Sequence, residues 1–181
     1  MFTISIDPGY RNLGIVIFDE SIAFQPPIKV YSDNFAIGDD WITWYINIAH
    51  ICDNKIMNVI LPDENSEGMP IINIVCEKQK EHPYHELAGF IVGYLTNLFG
   101  SIREIKWVDP RAVWKSTHIT AFDRQHKKQL TKEAIHIWNS NNDYLSDHEA
   151  DCILNYYYYK GYLKLAKWRS YILPQLKAQT V

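Results

Sequence analysis

Short apolar runs and stretches of helical periodicity follow one another along most of the chain. The first 37 residues predict three strands, Phe2–Ile6, Leu13–Phe18 and roughly Ile28–Phe35, with turns at Pro8-Gly9 and Pro26-Pro27 between them. Because consecutive strands joined by such turns pair with each other, the chain is expected to begin with an antiparallel meander.

Strands and helices then alternate. Strands are predicted at Ile71–Cys76 and Ile102–Val108, and the polar segment Pro62–Pro70 predicts a loop. The apolar periodicity predicts four helices, at Trp41–Cys52, Tyr84–Phe99, His126–Trp138 and Asp147–Leu165. This order favours a single α/β domain over residues 1–181, with a mixed five-stranded sheet and helices on both of its faces.

Length and composition agree with one such domain. A chain of 181 residues with 47% apolar content can bury a sizeable core. The sequence has no run of roughly 18 consecutive apolar residues, the length of a membrane span. Its N-terminus also has no basic segment ahead of an apolar one, the pattern of a signal peptide. We therefore expect a soluble, intracellular protein. Cys52, Cys76 and Cys152 lack CxxC spacing and lie among apolar residues, which predicts packing thiols in a reducing compartment.

Charge is distributed unevenly along the chain, although the net charge is only -3. Residues 1–100 contain 5 Lys/Arg and 13 Asp/Glu, whereas residues 101–181 contain 13 and 8. Within the second half, residues 103–132 carry 8 basic and 3 acidic groups, and residues 152–181 carry 5 basic groups and no acidic one. Local basic faces of this kind allow a protein of acidic total charge to bind a polyanion. Ordinary solvated Lys and Arg are the alternative.

Acidic residues stand at the predicted ends of two strands. Asp7 ends the first strand immediately before the Pro8-Gly9 turn, and Glu77 ends the apolar run Ile71–Cys76 in the same way. If these strands are neighbours in one sheet, the two carboxylates converge although 70 residues separate them in sequence.

A third acidic group opens a helix, in the segment SDHEAD at residues 146–151. Residues three and four apart share a helix face, so Asp151 can point the same way as His148 or Asp147. Hydrolysis of a phosphodiester by two metal ions needs such a carboxylate cluster, and Mg²⁺ prefers oxygen ligands. A turn at Asp7 and a helix cap at Asp147 are the structural alternatives.

The motifs at these positions resemble those of RuvC-type Holliday-junction resolvases, which include bacterial, yeast mitochondrial and poxvirus enzymes. Residues 5–14 (SIDPGYRNLG) look like the first-strand motif, 75–79 (VCEKQ) like the second, and 148–151 (HEAD) like the last. The Glu-x-Gln form of the second motif is closest to the mitochondrial and poxvirus branches. Between the second and the last motif lies a basic stretch that is similar to the family's DNA-facing segment. It comprises Val108–Lys115, Lys127, Lys128 and Lys132.

The resemblance implies an RNase H-like fold, a homodimer, and paired symmetric nicks across a four-way DNA junction. It also implies two Mg²⁺ ions per active site, with Mn²⁺ able to support activity. By motif position, the catalytic and metal-site residues are Asp7, Glu77, His148 and Asp151. The family more often has a carboxylate where this chain has His148, so Asp147 remains the alternative ligand. Pro83-Tyr84, which follows the second motif, resembles poxvirus members and favours a viral or phage origin.

Basic residues are expected to contact DNA phosphates, which makes affinity depend on salt. The candidates are Arg11, Lys115, Arg124, Lys127, Lys128 and Lys132. A solvated helix face is the alternative for the lysines, and an ordinary surface turn is the alternative for Arg11.

Three other functions compete with junction resolution. A related RNase H-like nuclease could act on an RNA–DNA hybrid or on flap DNA, since the same metals attack the same phosphodiester. A sugar-kinase or actin-like ATPase also carries Asp-x-Gly near a first strand, but 181 residues are few for its two lobes. A non-catalytic junction-binding protein would not need Glu77 and Asp151 beside Asp7.

Overall fold

The computed structural model describes residues 1–9, 12–21, 28–36, 40–61, 70–80, 83–117, 128–129, 132 and 146–164. Its strands are β1 (Phe2–Pro8), β2 (Asn12–Asp19), β3 (Ile28–Ala36), β4 (Ile72–Glu77) and β5 (Ile102–Val108). They form one sheet in the order β3-β2-β1-β4-β5. The first three strands pair antiparallel, and β1, β4 and β5 run parallel. The mixed five-stranded sheet expected from the sequence is therefore confirmed.

Helices pack on both faces of this sheet, as expected. They are α1 (Trp41–Ile51), α2 (Met57–Ile60), α3 (Tyr84–Phe99), α4 (Pro110–Thr117) and α5 (Asp147–Lys160). A π-helical turn, Cys52–Ile56, joins α1 to α2 without a break. The predicted first helix therefore continues to Ile60 and not only to Cys52.

The strands divide their side chains between two cores because successive residues of a strand point to opposite faces. Ile4 and Ile6 of β1 belong to a core shared with α1 and α3, in which Trp44 and Leu87 are fully buried. This face of the sheet is almost entirely apolar.

The opposite face of the sheet is partly polar and lies under α5. Val16, Phe18 and Val75 pack there with Ile153 and Tyr156 of α5. Between these apolar groups, β1 contributes three buried polar side chains in a row at alternate positions: Thr3, Ser5 and Asp7. The Ser5 hydroxyl donates to the backbone carbonyl of Cys152 at 2.7 Å, which ties the middle of α5 to β1.

The ends of two helices differ from the prediction for identifiable reasons. Helix α5 ends at Lys160 and not at Leu165, because Gly161 adopts a left-handed conformation with φ of 76° that closes the helix. Helix α4 was not predicted, because Val108–Lys115 was interpreted only as a basic segment. Asp109 begins it by accepting a hydrogen bond from the amide of Arg111 at 2.8 Å, and Pro110 occupies the first helical position.

The predicted helix His126–Trp138 lies mostly outside the described residues, and so does most of the loop Pro62–Pro70. Cys52, Cys76 and Cys152 are buried free thiols, as expected. Among the helices described, none has the length and apolar character needed to cross a bilayer.

Candidate active site

Asp7 and Glu77 lie side by side at the carboxyl ends of neighbouring strands. In the parallel β1–β4 ladder Ile6 is opposite Cys76, so the next residue of each strand is the predicted acid. Both acids point to the face under α5, in line with Ser5 and Val75. The Asp7 side chain is only 8% exposed. The expected convergence of these two carboxylates follows from the parallel pairing.

Helix α5 brings the third acidic group to this end of the sheet. Its first turn is fixed by a capping box, in which the Ser146 hydroxyl accepts from the Glu149 amide at 3.2 Å and the Glu149 carboxylate accepts from the Ser146 amide at 3.0 Å. This start directs His148 and Asp151 toward the strand ends. His148 donates from Nδ1 to Oδ2 of Asp7 at 2.6 Å.

Two glycines make room for His148. A methyl group on Gly14, which is opposite Asp7 in the β1–β2 ladder, would lie 2.7 Å from Cβ and 2.8 Å from the carbonyl oxygen of His148. One on Gly9 would lie 2.8 Å from Cε1 of the imidazole ring. Real Cβ atoms do not approach so closely, so the absence of these side chains lets α5 reach the sheet.

The acids of the site are buried and lie close together, which makes their ionised forms unfavourable. Burial and the charges of Asp7 and Asp151 raise the pKa of Glu77 to about 8. Burial and the charge of Asp7 raise the pKa of Asp151 to about 6, against the lowering effect of Lys128. The hydrogen bond to Asp7 raises the pKa of His148, although burial opposes the shift. Each shift favours the state with less negative charge.

Lysines approach the outer side of the acidic group. Nζ of Lys128 lies 3.4 Å from Oδ2 of Asp147 and 3.4 Å from Oδ2 of Asp151. Nζ of Lys132 lies 2.5 Å from Oδ1 of Asp147. The hydrogen bond from Lys132, together with the charges of both lysines, lowers the pKa of Asp147. The Asp147 side chain is 45% exposed and faces these lysines, whereas His148 faces Asp7.

The donor set fits a hard divalent cation. Within the described ranges, no three His, Cys, Asp or Glu side chains already surround a common point at which a metal ion could bind. Asp7 is bonded to His148, and Asp151 is paired with Lys128. The donors are nevertheless carboxylate oxygens with one imidazole, the type that Mg²⁺ and Mn²⁺ take in proteins. Burial and, after it, mutual repulsion raise the pKa values of Glu77 and Asp151, and a divalent cation would offset both effects.

The predicted residues divide into two groups. The structure brings together the four candidate metal-site residues: Asp7, Glu77, His148 and Asp151. Of the candidate DNA contacts, Lys115 is exposed on α4, and Lys128 and Lys132 are ion-paired beside the acids. Arg11, Arg124 and Lys127 lie outside the described residues.

Sequence reasoning missed Asn155, which lies one helical turn beyond Asp151 and against Glu77. A single amide within the run CILNYYYY, four residues after an expected metal ligand, is the signal that would have found it.

Comparisons with known proteins agree with this architecture. No protein-family model matches the chain, and no curated protein matches it in sequence. Among solved structures, Thermus thermophilus RuvC matches with a TM-score of 0.54 and 14% identity, over 89% of this chain and 97% of that chain. The same protein in complex with a Holliday junction substrate matches with a TM-score of 0.53 and 11% identity, over 97% of this chain and 96% of that chain.

A viral structure matches equally well. The complex of fowlpox virus resolvase with substrate Holliday junction DNA has a TM-score of 0.53 and 15% identity, over 88% of this chain and 99% of that chain. These matches span nearly the whole length of each partner. They identify the fold of this chain as RNase H-like.

Proposed function

We propose that this protein is a metal-dependent endodeoxyribonuclease that resolves four-way DNA junctions by paired symmetric nicks. The observation that supports it best is the convergence of Asp7, Glu77 and Asp151, from three separate elements, at one end of the sheet. The solved structures that share this fold include two complexes with Holliday junction DNA. A protein that only binds junctions would gain nothing from Glu77 and Asp151 buried beside Asp7, because burial and the neighbouring charges make their ionised forms unfavourable.

In this proposal Asp7, Glu77, His148 and Asp151 hold the metal ions. When bound, two Mg²⁺ ions supply an activated water and charge compensation at the leaving 3′ oxygen. Asp7 and Glu77 are fixed by the parallel ladder, so the strand ends set their separation. His148 orients the Asp7 carboxylate through their hydrogen bond. We favour His148 over Asp147 as the third ligand, because His148 lies against Asp7, whereas the half-exposed Asp147 side chain faces Lys128 and Lys132.

Basic residues around this site would hold the DNA backbone. Lys128 and Lys132 lie beside the acids and Lys115 is exposed on α4, so phosphates bound by them would lie near the strand ends. We also assign phosphate contacts to Arg11, Arg124 and Lys127 from their positions in the sequence. Such contacts make binding weaken as salt rises.

Resolution by two symmetric nicks requires two active sites, and one chain has a single acidic cluster in its described part. We therefore propose a homodimer, since a two-fold axis relates two copies of a site in the same way as it relates the two cut strands.

Nicking assays test this function directly. Purified protein should cleave a four-way junction with Mg²⁺ and not with EDTA, and Asp7→Asn should abolish nicking while leaving junction binding within about threefold, because catalysis and phosphate binding use different residues. An RNA–DNA hybrid and a flap DNA at equal enzyme concentration are the controls. Faster cleavage of either control would show that the junction is not the preferred substrate. An active Asp7→Asn variant would contradict the proposed metal site.

A further inference from the structure

Asn155 is a buried polar residue whose hydrogen-bonding capacity is not fully used. Asn155 lies on α5 one turn after Asp151, and only 1% of its surface is exposed. Within the described part of the chain, its Nδ2 has no hydrogen-bond partner. A buried donor without a partner destabilises the fold, so an apolar side chain of the same size would suit the metal-free protein better.

The amide of Asn155 lies against the carboxyl group of Glu77. The contact with Asn155 lowers the pKa of Glu77 against the larger effect of burial, whereas Nδ2 has no partner within hydrogen-bond geometry among the described residues. On the other side, Gln79 donates to Oε1 of Glu77 at 3.2 Å. Two amides therefore flank one candidate metal ligand, and only one of them is bonded.

We infer that Asn155 is a positioning residue for Glu77 in the metal-loaded site. Its Nδ2 donates to the Glu77 carboxylate when that group turns to a divalent cation, and this hydrogen bond fixes which oxygen faces the cation. Partners of this kind orient ligating carboxylates, and their loss typically weakens metal binding 10- to 100-fold. The inference rests on the metal site of the proposed function.

The structure supplies a matched control in Asn73. This residue is also buried on the face of the sheet under α5, at 4% exposure, and its Oδ1 has no partner among the described residues. It donates to the Thr3 hydroxyl at 3.4 Å. Asn73 precedes Glu77 by four residues on β4, which places it roughly 13 Å from the metal site along the strand.

Isothermal titration with Mn²⁺ alone, combined with urea unfolding in EDTA, separates positioning from packing. Asn155→Leu should bind Mn²⁺ about 10- to 100-fold more weakly than wild type. Its metal-free free energy of unfolding should be equal or higher, because an unpaired donor has been removed. Asn155→Ala is a second variant in case leucine does not fit, and it should show the same loss of Mn²⁺ affinity. Asn73→Leu should bind Mn²⁺ within about twofold of wild type.

The outcomes are distinguishable. If wild type binds Mn²⁺ in an Asp7-dependent manner and both Asn155 variants bind it equally tightly, the positioning role is wrong while the metal site stands. Equal weakening in Asn73→Leu would indicate a general effect of core substitutions and would also overturn it. If wild type binds no Mn²⁺, the proposed function and this inference fail together.

Discussion

Gly14 lies opposite Asp7 in the β1–β2 ladder, and the first turn of α5 passes directly over it. The atoms that a side chain here would meet include backbone atoms of His148, which cannot rotate away. The distance between helix and sheet at the candidate site is therefore set by the absence of one methyl group.

Gly14→Ala should destabilise the protein by about 1–3 kcal/mol, the usual cost of overpacking a closely packed contact. It should also displace His148 from Asp7 and greatly reduce nicking. Gly93 is the matched control, because it lies inside α3 with open space above it. Gly93→Ala should stabilise the helix by about 0.5–1 kcal/mol. Urea unfolding of both variants measures this contrast, and equal effects at the two positions would contradict it.

The titrating residues of the site predict how stability depends on pH in the absence of metal. The pKa of Glu77 is raised from 4.5 to about 8 and that of Asp151 from 3.8 to about 6, so the folded protein binds more protons than the unfolded chain. The free energy of unfolding should therefore fall as pH rises from about 4 to about 8 and then level off. The raised pKa of His148 acts in the same direction.

Urea unfolding in EDTA at a series of pH values tests this dependence. Glu77→Gln, which cannot ionise, should flatten the upper part of the curve and should be more stable than wild type near pH 8. A curve for Glu77→Gln that is parallel to wild type would show that the titration of Glu77 does not cause this pH dependence.

Some of these residues were accessible from the sequence and others were not. Asp7 and Glu77 were predictable because each ends an apolar run of strand length, and Asp151 because it shares a helix face with His148. The pairing of Lys128 with Asp151 depends on tertiary contacts between distant segments, which no local pattern encodes.

At the scale of elements, α5 is attached to the sheet along its whole length. His148 bonds to Asp7 near its beginning, and the Cys152 carbonyl accepts from Ser5 in its middle. Near its end, Tyr156 and Lys160 donate to the Glu20 carboxylate at 3.1 and 3.0 Å. These contacts fix the position of the helix along its own axis, and with it the distance from Asp151 to the strand ends.

The capping box of α5 offers a test at this scale. Ser146→Ala removes the hydroxyl that accepts from the Glu149 amide and should cost about 1 kcal/mol of stability, as lost N-caps usually do. Thr96→Ala is a control on the exposed side of α3, where the hydroxyl only bonds back to the Val92 carbonyl. It should change stability by less than about 0.5 kcal/mol. Thermal unfolding compares the two, and a larger loss in the Thr96 variant would exclude the capping effect.

Element prediction succeeded where apolar periodicity was strong. Helix α3 and strand β5 have the bounds expected, and the other described strands begin and end within two residues of the prediction. The π-helical turn at Cys52–Ile56 was not predicted. Its extra residue per turn shifts the apolar positions away from the spacing of an α-helix. Helix α4 gave no clear apolar periodicity, because it is only 8 residues long and only Val113 and Thr117 of it are buried.

At the scale of the whole molecule, the two faces of the sheet have different surroundings. The site lies on the face under α5, whereas α1 covers the opposite face and exposes two isoleucines one turn apart, Ile42 at 73% and Ile46 at 62%. A second copy that packs against α1 would cover this apolar surface on the face of the sheet away from the candidate site. We place the interface of the proposed homodimer there.

Ile42→Asp combined with Ile46→Asp should weaken the dimer by at least about 30-fold, the effect of losing roughly 2 kcal/mol at the centre of an interface. Sedimentation at micromolar concentration measures this change. Ile71→Asp, at a 50% exposed isoleucine next to β4, is the control and should leave the mass unchanged. A double variant that sediments as wild type would place the interface elsewhere.

The position of α5 late in the chain has a consequence for synthesis. A ribosome releases all five strands before residues 147–160, so the sheet face that carries Val16, Phe18 and Val75 lacks the cover of α5 during most of translation. Nascent chains with such exposed surface are prone to aggregate. We expect chains that stop before Asp147 to form insoluble material and to depend on chaperones, whereas the whole chain folds once α5 docks.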